Sequence, residues 1–365
     1  MSMRHDRRTF LRGAASLLGA SLGVSLLAAC GSPAPSPAAP AGTSAPAQTA
    51  PAQAAAPPSG VTPTKVTYAF ASINPLHYVA TIAGEKPELT RPFGIQFDLL
   101  QTTNSPNAVN ALVGGSVDVA AVTPDSAWPA QDKVPDLKQV MAIADGTPYV
   151  LIGQPDVKKA GDLKGATLGA SAVRGGADTL AIRIMLLENG LKDTDYTIVQ
   201  AGSVSDRTAA MKARTVQALA QLEPQATLLR DAGFPEIDNA NNYPPLKGVH
   251  SIVLMAKQGW YTGSTAEVAK SFIRAWDGVT KWLYDPANKA EVLAITKKTM
   301  NVEDKAAEAG YTLHVAGKSV SMTLRPNEKY LQQFADNQRR AGTENVPADP
   351  MKYVDTSLVD AALKG

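Results

Sequence analysis

The chain has 365 residues, with 35 basic and 33 acidic side chains, a single cysteine and four histidines. A formal charge of +2, with no basic run beyond the first dozen residues, argues against a nucleic-acid surface. One cysteine excludes a disulfide framework and a cysteine-built zinc site.

In chain order, residues 4–12 read RHDRRTFLR and lead into a Gly/Ala/Ser/Leu-rich segment, residues 13–29, of signal-peptide length. Asp6-Arg7-Arg8-Thr9-Phe10-Leu11-Arg12 resembles a twin-arginine export motif, and Leu27-Ala28-Ala29-Cys30 resembles a lipobox. The expectation is a signal peptide over 1–29 and a lipid on Cys30, which anchors the exported chain to the outside of the cytoplasmic membrane or in the periplasm. Removal of 1–29 takes four basic and one acidic residue, leaving 31 against 32. Residues 31–60 hold eight prolines and no charge. Such a stretch forms neither a core nor a helix, so residues 30–63 read as a tether. At about 3 Å per residue the uncharged stretch 31–60 reaches up to roughly 90 Å.

Periodic structure starts at Lys65. KVTYAF (65–70), FDLLQT (97–102), VDVAAV (117–122), QVMAIA (139–144) and YVLIGQ (149–154) read as strands. Between them a helix is expected over 76–83. A second follows in NSPNAVNALVGG, with Ser105 as cap and Pro106 at the first helical position. ATLGAS (166–171) opens a second series of strands and helices. It runs through ADTLAIRIMLLENG, whose Leu180, Ile184, Leu187 and Leu191 form one stripe, then TIVQAG, SDRTAAMKA and VQALAQL. Alternation of this kind predicts parallel sheets covered by helices. From Ser264 the chain reads as helical, opening with a Ser264/Glu267 capping box and a face of Val268, Phe272, Ala275, Trp276, Val279 and Leu283.

Four segments carry a family resemblance. NSPNAVNALVGGSVDVAAVTPD, DLKGATLGASAVRGGAD, LLENGLKDTDYTIVQAG and TKWLYDPANKAEVL, in that order, resemble the nitrate/sulfonate/taurine-type solute-binding proteins of ABC importers. The same superfamily includes binders of thiamine-pyrimidine precursors. The resemblance covers residues 64–365. It implies a two-lobed type II periplasmic-binding-protein fold, an α/β architecture in which each lobe is a mostly parallel sheet flanked by helices, with a helical C-terminal region. The implied division is 64–153 and 250–365 for the first lobe and 154–249 for the second, with hinges near Gln154 and Gly248. One departure is the stretch MKARTVQALAQLEP, which lacks a glycine usual before that strand.

In open α/β sheets ligands bind beyond the carboxyl ends of the parallel strands, where helix N-termini offer free N–H groups. That rule selects Ser72, Asn74 and His77 after the first strand, Asn104 and Ser105 after the second, and Thr123 and Asp125 after the third. In the second lobe it selects Ser171, Arg174, Gly175, Gly176, Ser203 and Glu223. Arg174 is expected to clamp a carboxylate or sulfonate beside Gly175 and Gly176. Asp125 and Glu223 fit an amine instead, as in a zwitterion.

The expected function is capture of a small organic solute, anionic or zwitterionic, in the interlobe cleft, and its delivery by a monomer to ABC permease subunits. Two alternatives stand beside it: a ligand-sensing lipoprotein serving a signalling partner, and a binder of a neutral heterocycle. Enzymes of this fold that make a thiamine pyrimidine use histidine and a cysteine cluster. After Cys30 this chain has no cysteine, and His77, His250 and His314 lie far apart without metal-ligand spacing. No catalytic residue, metal or cofactor is expected.

Overall fold

The structure, a computed structural model, describes residues 62–364. The signal peptide, Cys30 and the Pro/Ala-rich stretch lie outside the described residues. No helix among those described is long and apolar enough to cross a membrane.

Among the described residues, ten strands form two five-stranded sheets of the same design. The first contains β1 (Thr64–Phe70), β2 (Ile95–Gln101), β3 (Val119–Val122), β4 (Leu137–Asp145) and, from much later in the chain, β10 (His250–Lys257). Its order is β2-β1-β3-β10-β4, with β1 parallel to β2 and β3, and β10 antiparallel to β3 and β4. The second contains β5 (Val150–Gly153), β6 (Thr167–Ala170), β7 (Thr197–Gln200), β8 (Ala218–Gln221) and β9 (Glu236–Asn239), in the order β7-β6-β8-β5-β9. Here β6 is parallel to β7 and β8, and β5 is antiparallel to β8 and β9. In each sheet the one reversed strand is the strand that arrives from the other lobe. This is the type II periplasmic-binding-protein arrangement.

Helices cover both sheets. The first lobe carries α1 (Tyr78–Glu85), α2 (Ser105–Val113) and α3 (Pro124–Lys133), and the second α4 (Ala177–Glu188), α5 (Val204–Lys212) and α6 (Gln225–Asp231). The C-terminal region adds α7 (Gln258–Thr262), α8 (Ala266–Tyr284), α9 (Lys289–Met300), α10 (Asp304–Gly310), α11 (Glu328–Arg340) and α12 (Ser357–Leu363). A π-helical turn, Tyr311–Ala316, follows α10. The core of the first lobe is aromatic. Phe97 of β2 stacks on Phe272 of α8 at 4.8 Å, and Tyr68 of β1 lies 5.6 Å from the fully buried Trp276. Of the predicted face of α8, Phe272, Ala275, Trp276, Val279 and Leu283 are sequestered, and Val268 in the first turn is half-buried.

Several local expectations are corrected. The strand at 149–154 belongs to the second sheet, because Val150–Gly153 pairs along its length with β8. The first crossing therefore falls between Asp145 and Val150. Gln154 follows β5 and lies within the second lobe, past this crossing, where its amide donates to the carbonyls of Met211 and Val216, each at 2.9 Å. The two crossings bond to each other through Gly146 N–H to Val249 O (2.7 Å) and Thr147 N–H to Leu246 O (2.9 Å). The cap of α2 is Asn104, whose Oδ1 accepts from Asn107 N–H at 2.9 Å, which leaves Ser105 as the first helical residue. α8 starts after Thr265 with no side-chain cap, so the Ser264/Glu267 box does not form.

Candidate functional site

The strand order places the carboxyl ends of β1, β3 and β6 and the starts of β5 and β10 around one interlobe cavity of about 30 Å³. The first lobe lines it with Ser72, Asn74, His77, Ser105, Thr123 and Ile252, and the second with Ser171, Gly176, Ala177, Asp178 and Arg207. Tyr149, on the first crossing, closes one wall, and burial holds its phenol well above the usual range, with the Asp178 carboxylate adding to the effect. A space of this size holds about one water molecule, so a solute enters only if the lobes part.

Each side chain is positioned by local chemistry. Asn74 forms a turn with its own backbone: Oδ1 accepts from Leu76 N–H (2.9 Å) and Nδ2 donates to Ser72 O (3.0 Å). Ser105 Oγ accepts from Thr123 N–H at 3.2 Å and ties the start of α2 to the end of β3. His77 is buried against Phe70, and burial lowers its imidazole to about 3, so it is neutral at ordinary pH.

The charged centre is a pair that sequence reasoning misses. Asp178 and Arg207 are 2 % and 3 % exposed, with Oδ2 and Nη1 3.4 Å apart. Asp178 also accepts from Ser171 N–H (2.7 Å) and Ser171 Oγ–H (2.6 Å), and Arg207 Nη1 donates to Gly202 O (3.0 Å). Gly176 is demanded by this packing: a Cβ there would meet Asp178 Oδ1 and Ser171 Oγ at 2.7 Å each. Three polar atoms at the cavity are buried without a hydrogen-bond partner: His77 Nδ1, Thr123 Oγ1 and Arg207 Nε. They come from both lobes. Buried polar groups are nearly always satisfied, so these three atoms are free to bond a molecule that enters the cavity.

The remaining predicted residues lie elsewhere. Arg174 is exposed and borders an outer groove of about 430 Å³ with Gly175, Pro106, Asp125, Ser126 and Lys133. Its side chain lines that groove and not the inner cavity. Asp125 faces the same groove; Oδ2 accepts from Gln338 Nε2 (2.7 Å), and burial raises its carboxyl above the ordinary value. Asn104 is consumed as the α2 cap. Glu223 is turned onto its own helix, where it accepts from Thr227 N–H (3.0 Å) and pairs with Arg230. Ser203 caps α5 in a reciprocal box with Asp206 and lines a second interlobe opening, which it shares with Ser72. Asp178 and Arg207 obey the same carboxyl-end rule as the predicted residues. They sit in the first turns of the helices after β6 and β7, one step further along the chain than the loops.

Sheets, crossings and cleft define a protein of the two-lobed periplasmic-binding class. The family model described as NMT1/THI5 like matches residues 91–290, and the chain belongs to that family. The resemblance carried by the four sequence segments is thereby borne out. No curated protein sequence matches the chain. Among solved structures, the alkanesulfonate-binding protein SsuA from Xanthomonas axonopodis pv. citri, bound to MOPS, is similar at 16% identity and a TM-score of 0.64, over 83% of this chain and 99% of that one. The periplasmic nitrate-binding protein NrtA from Synechocystis PCC 6803 is similar at 14% identity and 0.65, over 83% and 89%. The desulfurization enzyme DSZB is similar at 14% and 0.57, over 82% and 99%. At these identities the likeness is one of fold, and the fold hosts both binding and catalysis.

Proposed function

We propose that this chain is an exported solute-binding protein, lipid-anchored through Cys30, that closes its lobes on a small zwitterionic solute and delivers it as a monomer to an ABC permease. In this reading 64–145 and 250–364 form one lobe, 150–239 form the other, and the paired crossings act as the hinge. The observation that carries it is the convergence of His77 Nδ1, Thr123 Oγ1 and Arg207 Nε, unpartnered and buried, on one cavity between the lobes.

Binding without conversion is supported by how the hydroxyls are used. Ser171 gives its proton to Asp178, and the partner of Ser105 Oγ is the Thr123 amide and not His77, so the nucleophile–base pair that covalent catalysis requires is not formed here. A zwitterion is favoured over a simple anion by charge. Arg207 is already opposed by Asp178, His77 is neutral, and the cavity wall presents one positive and one negative group side by side. A lone nitrate or alkanesulfonate would bring an uncompensated charge into that space. Its helix N-terminus at Ala177 and Asp178, which has no side-chain cap, suits the anionic end of a zwitterion.

The test is a thermal shift of the purified protein with nitrate, methanesulfonate, taurine and glutamine. A ligand at about 1,000 times its dissociation constant adds roughly 4 kcal/mol, which moves the midpoint by about 10 °C at 2–4 °C per kcal/mol. Zwitterions are expected to produce that shift and the simple anions to leave the midpoint in place. A nitrate or methanesulfonate shift of the larger size overturns the charge reading.

A further inference from the structure

Beyond Ser72 the cleft has a second opening, of about 330 Å³, with a different chemistry. Ser72, Gln101 and Asn301 line it from the first lobe, and Ser203, Thr208 and Gln225 from the second. None of the residues lining it is charged. Helix α5 is the partition between the two spaces: Arg207 faces the inner cavity, while Val204 and Thr208, one turn apart, face the outer one. Gln225, the first residue of α6, is 8 % exposed, and its Oε1 is buried with no hydrogen-bond partner.

We propose that this opening is a second subsite of the cleft, which takes an uncharged hydrogen-bonding group of the solute such as a carboxamide, and that Gln225 selects it. The proposal rests on the reading of the inner cavity as the seat of a zwitterionic head. A charged tail in this space would lose its water with no counter-charge to replace it. An aliphatic tail would bury the Gln225 amide beside it unpaired. A site built to hydrogen-bond its ligand rejects the analogue that lacks the group far more strongly than an apolar pocket rejects a missing methylene. Gln225 and Thr208 come from the second lobe while Ser72 and Gln101 come from the first, so a tail held between them is also gripped only when the lobes are together.

Glutamine, glutamate and norleucine share one zwitterionic head and differ in an amide, a charge or a methyl terminus, so calorimetric titration of the purified full chain with the three separates head from tail. Glutamine is expected to bind at least tenfold more tightly than the other two. Gln225→Leu is expected to lose tenfold or more for glutamine and to gain for norleucine, and Gln225→Met, which keeps the length of the side chain without its amide, to shift the ratio in the same direction. Binding of all three within threefold of one another, or a glutamine-to-norleucine ratio that neither variant moves, overturns the subsite. Binding of none of the three overturns the zwitterionic head, and the subsite built upon it falls as well.

Discussion

Arg174 and Arg207 have the same side chain and opposite circumstances. Arg174 stands in the most ligand-like string of the sequence, between a strand and a glycine pair, and it is exposed on the outer groove. Arg207 stands in an unremarked helical stretch, SDRTAAMK, and is almost fully buried against Asp178. Arg174→Ala is therefore expected to keep the affinity for a zwitterionic ligand within threefold of the parent. Arg207→Met is expected to cost more than 100-fold in affinity and about 3–5 kcal/mol in stability, because Asp178 is left charged and unpaired in a dry site. Titration and urea unfolding of both variants decide the matter, and a larger binding loss at Arg174 would return the clamp to the outer groove. Residue type and position after a strand were legible without a structure: Ser72, His77, Thr123, Ser171 and Gly176 do line the cavity. Which polar side chain turns inward was not legible. Glu223 and Asn104 are drawn off by their own helices, and the Asp178–Arg207 pair joins residues from two different strand–helix units.

At the scale of elements, sequence periodicity identifies what local chemistry determines and misses what the returning chain determines. β1, β2, β6, α4 and α8 announce themselves by alternation, caps or a stripe. α3 is hidden by Pro129 in its interior, which reads as a breaker although Pro124 starts the helix well. β10 is an eight-residue run, HSIVLMAK, without alternation, because it is buried on both faces between β3 and β4. The turn between β6 and α4 illustrates a role visible only in three dimensions. Gly175 has φ +73°, and a Cβ there would lie 3.0 Å from Ser126 Cβ and 3.3 Å from Pro106 Cγ, both on the opposite lobe. Gly115, in the turn after α2, has φ +76° and nothing within 4 Å. Alanine at either site is expected to lower stability by about 1–2 kcal/mol through the left-handed backbone. Only Gly175→Ala should also weaken ligand affinity, by roughly tenfold, because only that methyl obstructs closure. Equal binding losses in the two variants would remove Gly175 from the closing contact.

Among the described residues of the molecule, burial keeps two imidazoles neutral, and each makes stability fall on acidification. His77 lies at the cleft and His314 in the π-helical turn after α10. Burial pushes each down to about 3, with the Glu223 backbone acting weakly the other way on His314. In the unfolded chain both titrate near 6.5. Between about pH 6.5 and 3 the unfolded state thus binds two protons that the folded state refuses, so stability is complete above 6.5 and falls as the pH drops. The slope for each histidine is about 1.4 kcal/mol per pH unit, or roughly 2.7 for the pair. Asp125 has the opposite sign: its raised folded value holds a proton that the unfolded chain has released, which offsets part of the loss near the lower end of the range. Urea unfolding at pH 4.5, 5.5, 6.5 and 7.5 is expected to show a flat upper region and a decline of about 2–3 kcal/mol per unit below pH 6. Above pH 5.5, where the carboxylates held low by their partners (Glu88, Asp206, Asp355 and Asp360) have yet to titrate, His77→Gln and His314→Phe should each take away about half of that decline, and the double variant nearly all of it. A decline above pH 5.5 that survives in the double variant would assign the acid sensitivity to other groups. The half of the slope that belongs to His77 arises at the cavity between the lobes, whereas that of His314 arises in the packing of the C-terminal helices.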